Sequence, residues 1–490
     1  MKSDELLDAI GDLPDATVEQ TENLRRGFRT PLWVRVIAAA ACACLTVAAV
    51  GITVTRRGST EPPVSGEATE SESAAPTEAT QTAKPTQTTK VTAVTASPGI
   101  GATCVKILAQ PQYATKKMMY KPAYVDGMAA FYKKVTRAFL QGKAGENRVC
   151  SPLNMYFALS MLTEITDGNS RGQLLKLLGT NDLPTLRERC AALWDLHYRD
   201  GDNKDTLLLA NSVWMANGIS YRQAPLDRLA TDHHAAAFQG NMGSAEYDRA
   251  LQEWINGMTG GLLQEAASDL HMDAATVLTL ASIVLLRDQW EAPFQSQFTK
   301  DGTFYAAGGD VTCPFMHHNY QTSCQRGKNY LAVNMPLLSG KGGMWLILPD
   351  EGVSVDTLID AGTLVKVTDI EQISEYAMVH LSVPKFDVCA DLDLREGLRT
   401  LGVTDVFDGA KADFSPLTDD GAVLGSVKHA ARVAADEEGI TAAAYTVEQL
   451  SGATPPRNEY TFTADRPFLF AVTGIGSSLL FAGVVEKPLN

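Results

Sequence analysis

The residues from Asp436 to Phe470 read DEEGITAAAYTVEQLSGATPPRNEYTFTADRPFLF, and the interpretation of the whole chain starts from them. The middle of this stretch has no helical apolar stripe, no strand bounded by turns and no block of charge, although strand-like runs flank it. Such a pattern predicts a long exposed loop, and loops of this length usually carry function. Small residues follow Gly439, so the segment can enter a sheet as an extra strand at little entropic or steric cost.

Both ends of this stretch resemble a known family. The run Phe462–Phe470 (FTADRPFLF) resembles the strand that follows the reactive loop of serpins, which are suicide inhibitors of serine proteases. The residues before the loop resemble the serpin hinge: Glu437, Glu438, Gly439, Ile440, Thr441, Ala442, Ala443 and Ala444. Alanine-rich runs are common alone, but hinge and strand together, with Gly439 and Pro467 28 residues apart, are specific.

The resemblance covers about residues 120–490 and implies an α+β fold, the serpin fold. It implies a large mixed central β-sheet with smaller sheets and about nine helices. Leu207–Trp214 and Ala281–Trp290 have the long apolar runs of strands covered on both faces. Pro152 and Gly179 are typical of a helix start and a helix stop. A later helix is expected at Leu392–Leu401.

The mechanism that the resemblance implies is the trapping of a protease. The protease attacks one bond of the exposed loop and forms its acyl-enzyme. The cut loop then inserts into the main sheet and distorts the enzyme before deacylation. Counting the usual loop length from Gly439 places the bond at Ala453–Thr454, with Leu450 or Gly452 as alternatives. A small residue there implies elastase-like or subtilisin-like targets; no cofactor is implied, and the protein is expected to be a monomer.

Insertion can be tested against the sequence itself. As a strand, residues 440, 442, 444, 446, 448 and 450 would share one face, and in the family that face meets the core. Glu448 would then be buried at a cost of a few kcal/mol unless it is paired. Tyr445 would point outward, and Ile440 stands where Thr or Ser is usual. These departures keep a second hypothesis open, a non-inhibitory serpin that acts as a binding or carrier module.

A polar cluster is expected beneath the sheet where the loop enters. By the resemblance it consists of Ser151, Asn154, Ser282 and His429. A histidine there can hold neighbouring strands by hydrogen bonds and release them. Asn154 and Ser282 exchange the residue types usual at their two positions. A histidine that is simply a satisfied core residue is an equally good interpretation of His429.

Catalytic and metal motifs are weaker. Gly168–Gly172 (GNSRG) matches the GxSxG of hydrolases, but that motif requires a sharp strand-to-helix turn, whereas a helix-like run precedes it here. Ser170 is therefore a distant candidate nucleophile, and the protein is not expected to be an enzyme. His233-His234 and His317-His318 are adjacent pairs, which do not share a helix or strand face, so no metal site is predicted.

The N-terminal quarter has a different character. Leu32–Val54 contains one charged residue, Arg35, and its 23 residues are enough to span the ~30 Å hydrocarbon layer. More Lys and Arg precede it than follow it, which predicts a cytoplasmic N-terminus. A cleaved signal peptide and a lipoprotein site at Cys42 are alternatives. Residues 59–98 contain ten Thr, five Ser and five Pro, which is typical of a disordered stalk.

The expected organisation is therefore a cytoplasmic tail (1–30), a transmembrane helix (31–55), a disordered stalk (56–110) and a serpin domain (111–490) outside the cell. This describes a membrane-anchored, bacterial-type serpin, single-pass in the cell membrane. Asp and Glu outnumber Lys and Arg by 57 to 42, so nucleic acid is not an expected partner. The eight cysteines show no CxxC pair and are expected to be mostly buried thiols.

Overall fold

The computed structural model describes residues 105–113, 125, 127–142, 144–199, 205–268, 270–369, 374–440 and 458–488. The expected cytoplasmic tail, the membrane span and all but the last residues of the stalk lie outside these ranges. So does the loop from Thr441 to Arg457, with the expected reactive bond. Within the described ranges, no helix combines the length and the apolar character that a membrane crossing requires.

Sixteen β-strands occur among the described residues. They are β1 (Lys106–Ala109), β2 (Arg148–Cys150), β3 (Asp205–Ala216), β4 (Ala235–Gly240), β5 (Leu278–Gln289), β6 (Lys300–Ala306), β7 (Gly309–Gly327), β8 (Tyr330–Pro336), β9 (Gly343–Pro349), β10 (Glu375–Pro384), β11 (Phe386–Asp393), β12 (Leu424–Ala435), β13 (Gly439–Ile440), β14 (Glu459–Thr463), β15 (Phe468–Thr473) and β16 (Leu479–Val485).

The same part of the chain contains ten α-helices, four of them of six residues or fewer. They are α1 (Met128–Leu140), α2 (Pro152–Glu164), α3 (Gly168–Leu178), α4 (Leu183–His197), α5 (Gln223–Asp232), α6 (Ala245–Thr259), α7 (Gln264–Ser268), α8 (Val355–Asp360), α9 (Thr363–Thr368) and α10 (Arg395–Thr400). Single turns of 3-10 helix lie at Ser296–Phe298, Asp405–Phe407 and Ile475–Ser477.

The central sheet has seven strands in the order β1-β4-β3-β5-β13-β12-β11. It is mixed, as expected, because β3 pairs parallel with β4 and antiparallel with β5, and β5 pairs parallel with β12. Almost every residue of β3 and β5 is buried, since the main core lies on one face and α6 on the other. That burial explains their unbroken apolar runs.

A second sheet has nine strands, in the order β14-β10-β7-β8-β9-β15-β16-β2 with β6 paired to β7. Separate smaller sheets were expected here. The 19-residue strand β7 joins them, because it pairs with β10 along its middle, with β6 at one end and with β8 at the other. A single long strand thus makes one continuous hydrogen-bonded sheet.

Helix α2 connects the two sheets. The Ser151 side chain caps it by accepting a hydrogen bond from the Asn154 backbone N–H, and Pro152 occupies the first turn, where it removes no helical hydrogen bond. All thirteen residues of α2 are buried, and it contacts both β5 and β16. Gly179 ends the next helix, α3, with φ of 68°, a conformation that glycine adopts most easily.

Two boundaries differ from the sequence prediction. The stalk was expected to reach residue 110, but Lys106–Ala109 form β1, which pairs antiparallel with β4 at the edge of the central sheet. Leu108 and Ala109 pack on the main core, which a disordered stalk would leave in water. The helix expected at Leu392–Leu401 begins only at Arg395, because β11 continues its pairing with β12 through Asp393.

The described cysteines carry free thiols. Four of these cysteines, at 150, 190, 313 and 324, are buried, as expected, and Cys389 is exposed on β11. Burial raises the pKa of the Cys150 and Cys190 thiols to about 12. Thiols with such a high pKa are poor nucleophiles at neutral pH, so they act here as small apolar side chains.

Candidate functional site: a fork in the central sheet

The central sheet forks between β5 and β12. The two strands are direct parallel neighbours from Leu278 and Leu424 up to Ile283 and Ala430. Further along, β13 lies between them: Gly439 and Ile440 pair antiparallel with Gln289 and Asp288, and Ile440 also pairs with Ala435. The residues that follow Gly439 in the chain therefore start on a path between two strands that are still paired with each other.

A tight turn aims the chain into this fork. Strand β12 ends at Ala435, and the Asp436 carboxylate accepts hydrogen bonds from the backbone N–H groups of Glu438 (2.9 Å) and Gly439 (3.2 Å). The turn reverses the chain, which makes β13 antiparallel to both of its neighbours. A Cβ at position 439 would lie 2.1 Å from the Asp288 carbonyl oxygen, so only glycine fits.

The hinge residues are anchored to the neck of the fork. Trp290 donates from its backbone N–H to the Glu438 carbonyl and from its indole to the Asp436 carbonyl, both at 2.8 Å. The Glu437 carboxylate contacts the Lys385 ammonium at 2.6 Å and accepts from the Thr299 hydroxyl at 2.8 Å. Burial raises the pKa of Glu437, but these two partners outweigh it, so the pKa lies below its usual range.

Ile440 is buried in the main core, with 1% of its surface exposed. Its cross-strand neighbour Asp288 is equally buried, and its carboxylate accepts from the Gln289 N–H at 2.9 Å. Burial raises the pKa of Asp288 above its usual range. Ile440 therefore lies beside a buried carboxylate, and this pairing was not foreseen from the sequence.

The four residues of the expected polar cluster meet below the fork. His429 lies on β12 opposite Ser282 on β5, and its Nε2 accepts a hydrogen bond from the Ser151 backbone N–H at 3.0 Å. The Ser282 hydroxyl lies 3.5 Å from the Asn154 carbonyl oxygen. All four residues are buried. The cluster therefore joins β5, β12 and the start of α2. It lies near the end of the stretch where β5 and β12 pair directly, from Leu278 and Leu424 to Ile283 and Ala430, which is called the seam below.

His429 is neutral in the folded protein. Burial lowers its pKa to about 4, and because Nε2 accepts a hydrogen bond from the Ser151 N–H, the ring proton must lie on Nδ1. Nδ1 has no hydrogen-bond partner among the described atoms, and neither do the two side-chain polar atoms of Asn154. Buried donors and acceptors without partners are costly, so this cluster is the weakly satisfied part of the seam.

One member of the cluster was missed from the sequence. The Ser282 hydroxyl donates to the Asn211 side-chain oxygen at 2.8 Å, across the β3–β5 pairing. Asn211 lies in the apolar run LLLANSVW, where a polar residue in the middle of a buried strand is the signal that could have identified it.

The comparisons with known proteins agree with this geometry. The family model described as serpin (serine protease inhibitor) matches residues 126–488. The chain belongs to the serpin family. This serpin is 26% identical to mouse serpin B11 over 381 residues, 73% of this chain and 97% of the mouse protein. It is 29% identical to putative serpin-Z12 from Oryza sativa subsp. japonica over 377 residues, 71% of this chain and 87% of that protein.

Two solved structures superpose on this one. The native state of tengpin, a thermophilic serpin, gives a TM-score of 0.68 at 25% identity and covers 77% of this chain and 97% of its own. Human thyroxine-binding globulin, complexed with thyroxine, gives 0.67 at 21% identity and covers 75% and 100%. The second likeness is one of fold alone.

The serpin's hydrolase-like motif lies in a helix. Ser170 is buried in the first turn of α3, and its hydroxyl accepts a hydrogen bond from the Asp413 backbone N–H at 3.1 Å. A nucleophile elbow would present this hydroxyl at the tip of a strained turn. The geometry removes Ser170 as a candidate nucleophile, and the family description is that of an inhibitor.

The adjacent histidines of this serpin have separate surroundings. His233 lies 3.9 Å from the Glu164 carboxylate, whereas His234 contacts the Gln112 carbonyl oxygen at 2.8 Å and packs on the Trp194 ring. His318 packs edge-on against Phe294 and Tyr320. These contacts assign the rings to packing and local hydrogen bonding.

Proposed function

We propose that this serpin inhibits serine proteases as a suicide substrate, through insertion of its loop into the central sheet. The observation that carries the proposal is the position of β13. Gly439 and Ile440 already pair between β5 and β12, and β13 runs in the direction of the residues where these two strands pair with each other. Further pairing would replace the direct parallel pairing of β5 with β12 by a new strand that is antiparallel to both. Antiparallel pairing is the more stable of the two, so insertion would release free energy.

The register of β13 defines where each later residue would go. Continuing it would put Ala442 opposite Leu286 and Ala444 opposite Val284, both buried on the core face. Thr446 would fall between Ser282 and His429, and insertion would therefore separate the polar cluster that closes the seam. A hydroxyl there offers the buried His429 and Asn154 groups a new partner.

Two residues oppose complete insertion on this register. Glu448 would lie between Leu280 and Val427, both fully buried, where an unpaired carboxylate costs several kcal/mol. Tyr445 would lie between Ile283 and Ala430. Tyr445 would thus point outward from the main core, toward the apolar cluster beneath α6 to which these two residues belong.

The alternative function is that of a non-inhibitory binding or carrier protein, and Glu448 and Tyr445 are the observations that favour it. Thyroxine-binding globulin shares this fold and is described in complex with a small ligand. A serpin whose loop inserts only as far as Ala444 would be cleaved without trapping the protease.

The proposal includes the placement of the molecule. We propose that the apolar run at 31–55 anchors it in the cell membrane with the N-terminus in the cytoplasm. The stalk then carries a monomeric serpin domain outside the cell. Ala453–Thr454 is the proposed reactive bond, with elastase-like or subtilisin-like proteases as targets, and no cofactor is needed. Support comes from the sequence alone: the length of the run, the flanking charges and the loop count.

One experiment separates the hypotheses. The full chain in detergent is incubated with pancreatic elastase or subtilisin and run on a denaturing gel. A covalent band near the summed masses is expected for the inhibitor, and clean cleavage for the carrier. Mass spectrometry of the released C-terminal peptide should find Thr454 at its new N-terminus, and another first residue would contradict the proposed bond.

Ala442→Arg provides the matched variant. On the register of β13, the guanidinium would have to enter the core beside Leu286, so insertion should fail while cleavage continues. We expect at least a tenfold loss of covalent complex with an unchanged cleavage rate. Asn458→Arg is the control, because Asn458 lies on the surface beyond the inserting segment. It should leave complex formation unchanged.

A further inference from the structure

The face of the central sheet opposite the main core is covered by α6 and by the chain that links it to β5. Leu263, Ala267, Leu270 and Met272 of this linker pack with Trp254 and the sheet in one apolar cluster. Gln252 on α6 donates to the carbonyl oxygens of Ser268 and Leu270, both at 3.1 Å. The linker is therefore held by α6 and continues directly into β5, on one side of the seam.

Arg432 on β12 reaches this linker from the other side of the seam. Its guanidinium donates to the Leu262 carbonyl oxygen at 2.8 Å. The same guanidinium forms a bidentate ion pair with the Asp387 carboxylate on β11, in which Nε donates to Oδ1 at 2.9 Å. Arg432 thus ties the β12–β11 side of the sheet to the linker that leads into β5.

Its position along β12 is at the fork. Ala430 still pairs with Ile283 of β5, whereas Ala435 already pairs with β13. Arg432 lies between them, and continuing the β13 register would bring Ala443 in beside it. An inserted strand widens this point by up to one strand spacing, ~4.8 Å. A hydrogen bond of 2.8 Å cannot stretch so far, so the Arg432–Leu262 contact must break for the loop to advance.

Other contacts across the seam can be replaced as the strand enters. The backbone ladder of β5 and β12 pairs again with the new strand, and the Thr279 and Ser426 hydroxyls, 3.3 Å apart, can bond to its backbone. On the continued register the residue that arrives beside Arg432 is an alanine, whose side chain offers no acceptor in place of the Leu262 carbonyl oxygen. Breaking the Arg432–Leu262 hydrogen bond therefore raises the free-energy barrier to insertion.

We propose that Arg432 is a latch across the insertion seam, which holds β12 to the α6–β5 linker and slows insertion past Ala442. The proposal rests on the proposed function, since it concerns the insertion step of the same loop. Arg432 acts as a positioning residue: it contacts neither protease nor reactive bond and sets how quickly the sheet opens.

The test measures insertion without a protease. A fluorescein-labelled peptide that copies residues 440–450, with alanine in place of Tyr445 and Glu448, is mixed with the full chain, and its anisotropy is followed. Arg432→Met should take up the peptide about tenfold faster than the wild type. The variant lacks the charged hydrogen bond to Leu262, which the wild type must break to reach the transition state of insertion. Arg432→Lys, which can still donate to Leu262, should fall between the two.

Arg326→Met is the matched control, since Arg326 forms an exposed ion pair with Asp350 in the other sheet. It should leave the uptake rate within twofold of wild type. Equal rates for wild type and Arg432→Met, both measurable, would overturn the latch and leave the proposed function standing. A chain that takes up no peptide in either form and gives no covalent complex overturns both.

Discussion

The imidazole of His429 links the seam to solution pH. Its pKa is about 4 in the folded protein and near 6.5 in an unfolded chain, so the unfolded state binds a proton first as pH falls. The contribution of neutral His429 to the free energy of unfolding is therefore complete above about pH 6.5 and decreases as the pH falls toward 4. His197, whose pKa burial lowers to about 3, acts in the same direction.

We therefore expect the free energy of unfolding to fall by about 2 kcal/mol for His429 between pH 7.5 and pH 5. Urea denaturation at both pH values measures this. His429→Gln retains an acceptor for the Ser151 N–H but does not titrate. Between the two pH values, the variant should therefore lose about 2 kcal/mol less of its free energy of unfolding than the wild type. A pH dependence identical to that of wild type would show that His429 is not the responsible group.

Tyr445 and Glu448 decide, residue by residue, between inhibitor and carrier. Each would be buried on complete insertion, one beneath α6 and the other beside Leu280. Replacing both with alanine should raise the fraction of elastase that ends as covalent complex several-fold over the wild type. Gln449→Ala, on the same stretch of loop, is the control. No change in the double variant would show that neither side chain limits insertion.

At the scale of elements, β1 lies ahead of the family match, which begins at residue 126. It extends the central sheet beyond β4, and the backbone continues to Gln112, whose N–H donates to the Ala230 carbonyl. Strand β4 is thus paired on both sides, and the free edge of the sheet is the four-residue β1. A short edge strand offers little backbone for pairing with another chain.

The two faces of β1 make a matched test. Leu108 packs on the main core, whereas Ile107 is 47% exposed. Leu108→Asp should lower the free energy of unfolding by about 1–3 kcal/mol, because a carboxylate replaces a packed side chain. Ile107→Asp should change it by less than about 0.5 kcal/mol. Equal effects in urea denaturation would indicate that β1 does not dock in solution.

At the scale of the molecule, the proposed function requires that insertion between β5 and β12 releases free energy. Full insertion would extend β13 along the whole of β5 and β12 and complete the central sheet. Nicking the loop should therefore raise the melting temperature by tens of degrees, well beyond the few degrees that one added interaction gives. Differential scanning calorimetry before and after limited subtilisin cleavage measures this. An unchanged melting temperature would contradict the proposal that insertion releases free energy.

The sequence alone determined the family, the central strands and the hinge. These depend on local composition: long apolar runs in β3 and β5, a glycine at 439 and small residues after it. It also identified Ser151, Asn154, Ser282 and His429, which the fold brings together although 278 positions separate Ser151 from His429. The reactive bond at Ala453–Thr454 lies outside the described residues and stays a prediction.

Only the tertiary structure decided the rest. Strand periodicity tells which residues share a face, but whether that face meets water depends on what packs over it, and α6 covers the face that Tyr445 would take. In the same way, the docking of β1, the joining of the smaller sheets through β7 and the reach of Arg432 to Leu262 are contacts between distant parts of the chain. No local pattern specifies such contacts, because the packing of the whole molecule determines them.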